Sequence, residues 1–228
     1  LDAAAGREEE MRLVECWHAA ASVCGAPEGE YSKPPSYLEY YEQELAAYRG
    51  RRATIVEVGV FRGQFLETLA AFLPDARIVG IDSWVDRVRV TAPHVEVVKG
   101  DQSDTAGLAS IFSRVAPDGI DILFDDASHV AALSKSLFDV AYPRIRSGGA
   151  YYIEDWGTGY VSDWPDGHSS VPAAMTDIGP KGFPTRIRSH DYGMVGLVKS
   201  MIDEVGSRPD LRTREVSIRP GICKLVKA

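Results

Sequence analysis

Cysteine is scarce in this 228-residue chain. Cys16, Cys24 and Cys223 are the only three, and no two stand as a CxxC pair. An odd, dispersed set suits buried thiols in a reducing compartment more than a disulfide framework. Basic charge is also short, with 25 Lys and Arg against 33 Asp and Glu and a net charge of -8. That balance argues against a nucleic-acid partner, which would call for a basic excess or stripe. No run of about 18 apolar residues exists to span a membrane. The opening "LDAAAGREEE" lacks the basic-then-apolar order of a signal peptide, so a cytoplasmic location is expected, although the chain does not start with Met. No internal repeat or low-complexity tract interrupts an ordinary globular composition of 45% hydrophobic and 25% charged residues.

What is present is a regular alternation. "REEEMRLVECWHAAASVCG" reads as an amphipathic helix with Val14, Trp17, Ala21 and Cys24 on one stripe. After the break "APEGEYSKPP", Ser36 can cap a second helix that ends at Gly50. The apolar faces of these helices could equally form a dimer interface or cover a sheet. From residue 53, strand-like runs alternate with helical ones: "ATIVEVGV", "GQFLETLAAFL", "ARIVGID", "VEVVKGD", "DTAGLASIFSRV", "IDILFDD", "HVAALSKSLFDVAYPRI" and "AYYIEDW". This order predicts an α/β fold with a doubly wound, mostly parallel, Rossmann-like sheet. A single domain is expected: an N-terminal helical cap over 1–50, a cofactor-binding core over 53–155, a Gly-, Pro- and aromatic-rich lid over 156–190, and a final helix and β-hairpin over 191–228 around "RPG".

Acids gather where the strands end. Asp82, Asp101, Asp125 with Asp126, and Glu154 with Asp155 close four strand-like runs, and Glu57 lies in the fifth. Ligands of open α/β sheets bind outside the carboxyl ends of the strands, so these acids should rim one crevice. "VEVGVFRG" gives Glu57, Gly59 and Gly63 in an E-x-G-x-x-x-G spacing, without the G-x-G-x-x-G of a dinucleotide site. Glycines there let a ligand approach the backbone, and the acid can bind an ammonium group. Asp82 can accept hydrogen bonds from ribose hydroxyls, and Asp101, in "KGDQSD" with Gln102, can meet an adenine amino group. A nucleoside cofactor is the expectation.

The stretch "LFDDASHVAALSKSLF" crowds Asp125, Asp126 and His129 into five positions. Asp126 or Ser128 could simply cap the helix that follows. If the strands ending "ILFDD" and "YYIED" are neighbours, however, several carboxylates face one point. A hard divalent cation would relieve their repulsion, and oxygen ligands suit Mg²⁺. The competing expectation is that Lys135, Arg144 or Arg146 folds back to neutralise them.

On these motifs, residues 53 to 155 with the terminal hairpin resemble class I S-adenosylmethionine-dependent methyltransferases. "DDASH" followed by "SGGAYYIEDW" is similar to the magnesium-dependent sugar O-methyltransferases of the mycinamicin and macrocin type and their rhamnosyl and mannosyl relatives. Ala127 stands where that family usually has Gly. The resemblance implies a seven-stranded sheet whose last strand is antiparallel, with S-adenosylmethionine and Mg²⁺ as cofactors. It implies Asp126, Glu154 and Asp155 as metal ligands, His129 as general base, and Asp125 on the cofactor side or behind the ligands. The implied reaction is methylation of a hydroxyl on a sugar unit of a small-molecule or oligosaccharide acceptor. Trp156, Tyr160 and Trp164 in "WGTGYVSDWPDG" offer faces for a pyranose. His168 and His190 flank the lid, whereas His18 and His94 read as structural. Tyr37 and Tyr41 could close over the cofactor or pack in the core. The alternatives are a catechol-type or other small-molecule O-methyltransferase, and a non-catalytic cofactor-binding assembly subunit.

Overall fold

The computed structural model describes residues 11–25, 33–167, 177–178, 184–186, 193–207 and 212–228. The core is a seven-stranded sheet. Its strands are β1 (Thr54–Val58), β2 (Arg77–Asp82), β3 (Val95–Lys99), β4 (Ile120–Asp125), β5 (Ile145–Glu154), β8 (Thr213–Arg219) and β9 (Ile222–Lys227). Their order is β3-β2-β1-β4-β5-β9-β8. The first five are parallel, and β9 runs antiparallel between β5 and β8. A separate two-stranded ribbon pairs β6 (Asp177–Ile178) with β7 (Pro184–Arg186) inside the expected lid. His168, His190 and the acids at 8–10 lie outside the described residues.

Helices α1 (Leu13–Cys24), α2 (Pro35–Leu45) and α3 (Gln64–Phe72) cover one face of the sheet. There Trp17, Tyr41 and Phe65 share a core with Ile55, Phe124 and Tyr152. On the other face α4 (Thr105–Val115), α5 (Ala131–Ala141) and α6 (Gly193–Ser207) pack Phe112, Phe138 and Met194 against Val56, Val79 and Tyr151. Because successive strand residues alternate faces, Ile55 and Val56 serve different cores. Helix α1 packs mainly on α3 and α2, whereas Tyr41 of α2 meets Phe124 and Tyr152 of the sheet.

Two local expectations are corrected. The buried stripe of α1 is Leu13, Cys16, Trp17, Ala20 and Cys24, with Val14 and Ala21 at its margin. Helix α2 starts with Pro34 at the N-cap and Pro35 in the first turn, without side-chain capping, so Ser36 lies inside the helix. Proline suits that turn because its missing N–H would have no intrahelical partner. Three buried, unpaired thiols agree with the reading of Cys16, Cys24 and Cys223. Among the described residues no helix is long and apolar enough to cross a membrane.

Candidate active site

The carboxyl ends of β1, β2, β4 and β5 open onto a cleft of about 810 Å³, within the range of about 300–1,000 Å³ usual for small-molecule sites. Glu57, Gly59, Asp82, Asp101, Gln102, Asp126, His129, Glu154, Asp155 and Trp164 all line it. Gly63, Asp125, Trp156 and Tyr160 do not. Trp156 instead donates its indole N–H to the Arg219 carbonyl and pairs edge-on with Tyr160. Of the three aromatic residues expected at the acceptor, only Trp164 faces the cleft.

At one end the chain builds a glycine-rich turn. Gly59 has φ 92°, and a Cβ there would lie 2.1 Å from the Asp126 carbonyl oxygen, so its side-chain-free backbone lets the β1 turn pack against the end of β4. Gly63, with φ 94°, makes similar room for Val90 at the start of α3. Both glycines therefore serve chain packing, a reason additional to ligand approach. Asp82 braces the turn: its Oδ2 accepts the N–H groups of Val60 at 2.9 Å and Phe61 at 3.0 Å, and its Oδ1 accepts Trp84 N–H at 2.7 Å. Asp101 accepts Ser103 N–H and hydroxyl bonds, which hold its carboxyl below the usual range. Glu57 is buried with Oε2 unpartnered, and burial drives its pKa well up. A buried acceptor without a donor, on the wall of a cleft, is the feature an ammonium ligand would satisfy.

Below the cleft, burial pushes the Asp125 carboxyl up to about 6. It accepts the Gln102 amide at 2.8 Å and Tyr151 hydroxyl at 3.3 Å, while Gln102 Oε1 accepts the Ser128 hydroxyl at 2.6 Å. This network holds the turn between β4 and α5. Neither Asp126 nor Ser128 is the N-cap of α5; Val130 is, and Asp166 Oδ2 receives Ala131 N–H at 2.7 Å from 35 residues away.

At the other end, β4 and β5 are neighbours with Asp125 opposite Ile153, which sets Asp126 beside Glu154 as expected. Asp126, His129 and Asp155 each aim one ligand atom into a common space, all within 4.8 Å of one another. His129 Nε2 lies 3.6 Å from Asp126 Oδ1 and 3.8 Å from Asp155 Oδ2. His129 and Asp155 both adopt φ 50°, a left-handed conformation uncommon outside glycine. Such backbone strain collects at functional sites.

Glu154 lies outside this trio. Both its oxygens accept from Lys33 Nζ at 2.7 Å, and Oε1 also accepts the Tyr41 hydroxyl at 3.0 Å. Lys33 reaches Asp126 Oδ2 at 2.5 Å as well. The basic residues expected to fold back do not: Lys135 pairs with Asp139, Arg144 with Ser113, and Arg146 with Asp121. The cation comes instead from the segment before α2. Burial alone would lower the Lys33 pKa, but the neighbouring Asp126, Glu154 and Glu57 side chains more than reverse this and raise it. Tyr37 donates to Asp155 Oδ1 at 2.7 Å. Lys33 and the hydroxyl roles of Tyr37 and Tyr41 were not foreseen. The available signal was "KPP" ahead of two tyrosines four residues apart, which one helix turn would align.

Lys33 and His129 are the only basic groups against Glu57, Asp126, Glu154 and Asp155 among the described residues lining this end. The donor set is thus rich in hard oxygen and short of positive charge, which fits a divalent cation such as Mg²⁺.

No family model matches the sequence. Over 127 residues, 53% of the chain, it is 35% identical to the 8-demethyl-8-alpha-L-rhamnosyl tetracenomycin-C 2'-O-methyltransferase of Streptomyces olivaceus, covering 33% of that protein. It is 31% identical over 129 residues, 54% of the chain, to the mycinamicin VI 2''-O-methyltransferase of Micromonospora griseorubida, covering 32% of it. The chain thus spans about a third of the length of these curated relatives. Among solved structures, the MycE methyltransferase of the mycinamycin pathway, in complex with Mg, SAH and mycinamycin VI, superposes with a TM-score of 0.73 at 24% identity over 96% of this chain and 55% of that one. An O-methyltransferase from Bacillus cereus in complex with SAH gives 0.56 at 16% identity, over 99% and 94%. Strand order, the antiparallel β9 and these superpositions agree: the chain has the fold of class I S-adenosylmethionine-dependent methyltransferases.

Proposed function

We propose that this chain transfers the methyl group of S-adenosylmethionine to a hydroxyl of a sugar unit, with a divalent cation, Mg²⁺, at the carboxylate cluster. The observation that carries the reading is the two-ended cleft. An unpartnered buried Glu57 oxygen and a braced glycine turn lie at one end, and Asp126, His129 and Asp155 converge at the other. The named relatives are sugar O-methyltransferases, which supports a glycoside or oligosaccharide acceptor.

In this reading Glu57 receives the cofactor's ammonium group, and the Asp82-braced turn, Asp101 and Gln102 hold its nucleoside. Asp126 and Asp155, with Glu154, hold the metal, which when bound acidifies and orients an acceptor hydroxyl. His129 would take the hydroxyl proton at Nε2 while the methyl group passes to the hydroxyl oxygen, its bond to sulfur breaking so that S-adenosylhomocysteine leaves. Tyr37 fixes the Asp155 carboxylate through its hydrogen bond. Trp164, whose indole N–H donates to the His129 carbonyl at 2.7 Å, walls the acceptor side and ties the segment after β5 to the base. A second reading makes His129 a metal ligand, favoured by its place in the converging trio.

Calorimetry with S-adenosylhomocysteine, followed by an acceptor screen with mass analysis in Mg²⁺ and in EDTA, tests the function. Rhamnosides or mannosides gaining 14 mass units only with Mg²⁺ is the expected result. Efficient methylation of catechols alone would favour a catechol-type enzyme, and cofactor binding without turnover on any acceptor an assembly subunit.

A further inference from the structure

Lys33 holds three oxygens of the carboxylate cluster with one ammonium group. Its Nζ lies 2.5 Å from Asp126 Oδ2 and 2.7 Å from each Glu154 oxygen, with the side chain 7% exposed. The Phe65 ring seats it 4.6 Å from the ring centroid. Delivery is rigid: Lys33 runs directly into Pro34 and Pro35, whose φ angles are fixed by their rings. The helix they start is pinned to the same cluster through Tyr37 on Asp155 and Tyr41 on Glu154.

A divalent ion bound jointly by Asp126 and Glu154 would need oxygens that Lys33 now uses. Two cations sharing one carboxylate pair a few ångströms apart repel, and in a buried setting water screens that repulsion poorly. Asp126 Oδ1, His129 and Asp155 form the other side of the cluster, so Asp126 links an ammonium-filled half to the half where three ligand atoms converge.

We infer that Lys33 is a tethered competitor for the metal: its ammonium group neutralises the Asp126–Glu154 half of the cluster, and a divalent ion takes both residues only by displacing it. The inference rests on the metal site in the proposed function and adds a loading step to it. Lys33 keeps the buried Glu154 carboxylate and the half-buried Asp126 carboxylate paired before the ion arrives, at the expense of metal affinity. The Lys33 side chain also lines the cleft, which gives the displaced ammonium somewhere to go.

The test is Mn²⁺ binding, by calorimetry and by the electron paramagnetic resonance of free Mn²⁺, to the full chain and to Lys33→Met, with no acceptor present. The variant should bind Mn²⁺ about tenfold more tightly or better, because the ion no longer has to break charge-assisted hydrogen bonds. Equal or weaker binding would overturn the inference and make Lys33 a fixed part of the site. Should Lys33→Met fail to fold, labelling of the unmodified chain by an amine-reactive acetyl ester, mapped by mass spectrometry, decides. Mn²⁺ should speed modification of Lys33 several-fold, and an unchanged rate would overturn the inference. S-adenosylhomocysteine binding measured alongside separates the two ideas. Cofactor binding with no Mn²⁺ bound by either protein removes the metal site itself, whereas equal Mn²⁺ affinities remove only the role of Lys33.

Discussion

The imidazole Nε2 of His129 stands 3.6 Å from Oδ1 of Asp126, three residues earlier in the chain. At that distance the ring adjoins the carboxylate without a close hydrogen bond, free to meet a hydroxyl between them. His129→Asn is the suitable variant, since asparagine tolerates the left-handed backbone at this position. Its kcat should fall by about 10² to 10⁴, the range for losing a general base, with S-adenosylhomocysteine affinity unchanged. If Mn²⁺ affinity falls with kcat, His129 is a ligand.

Asp82→Ala should weaken S-adenosylhomocysteine by about 1.5 to 3 kcal/mol, the scale of charge-assisted hydrogen bonds, as read by calorimetry. Much of that loss should come from the turn, because the carboxylate carries the N–H groups of Val60, Phe61 and Trp84. Hydrogen exchange at Val60 and Phe61 should rise in the variant even without ligand.

Gly59→Ala should destabilise the fold by roughly 3 kcal/mol or more, since both a positive φ and a backbone collision must be relieved. Gly206→Ala, in α6 with nothing within 4 Å of a new Cβ, should be neutral or slightly stabilising. Urea unfolding of both variants measures the contrast.

The thiols should be inert in the folded protein. Burial pushes Cys223 up to about 12 and Cys24 up to about 11, and Cys24 donates to the Arg89 carbonyl. Iodoacetamide at pH 8 should modify none of the three cysteines in buffer and all three in urea, by mass spectrometry. Rapid labelling of native Cys24 would contradict the packing of α1.

Trp164→Ala should raise the acceptor KM, whereas Trp156→Ala should leave it nearly unchanged. The first ring lines the cleft and the second does not. Steady-state kinetics on an accepted glycoside separates them.

The sheet and the ring of acids were legible because both follow local rules. Alternating apolar and helical runs dictate crossovers, and parallel strands bring their carboxyl ends together, so Asp82, Asp126 and Glu154 had to share a rim. Lys33 was not legible. It pairs with Glu154 across 121 residues, and nothing in "YSKPP" marks one lysine as buried. Asp166 capping α5 was hidden for the same reason, since Asp126 and Ser128 were nearer and chemically adequate caps. An aromatic-rich segment does not reveal which rings meet the cleft: Trp164 lines it, Trp156 packs against the core and Tyr160 is exposed.

Helix α2 donates Tyr37 to Asp155 and Tyr41 to Glu154, partners 118 and 113 residues away. Contacts that distant in sequence close late in folding, because their loop entropy must be met before they contribute. The strand ends carrying the carboxylates belong to the sheet core and should assemble earlier, leaving a bare anionic rim until α2 docks. Undocking of α2 in the native state would re-expose that rim without unfolding the sheet, as a sub-global opening of the kind hydrogen exchange resolves. Metal ions in the medium would then act on the lifetime of that opening, tying the residence of one N-terminal helix to the ionic composition around the protein.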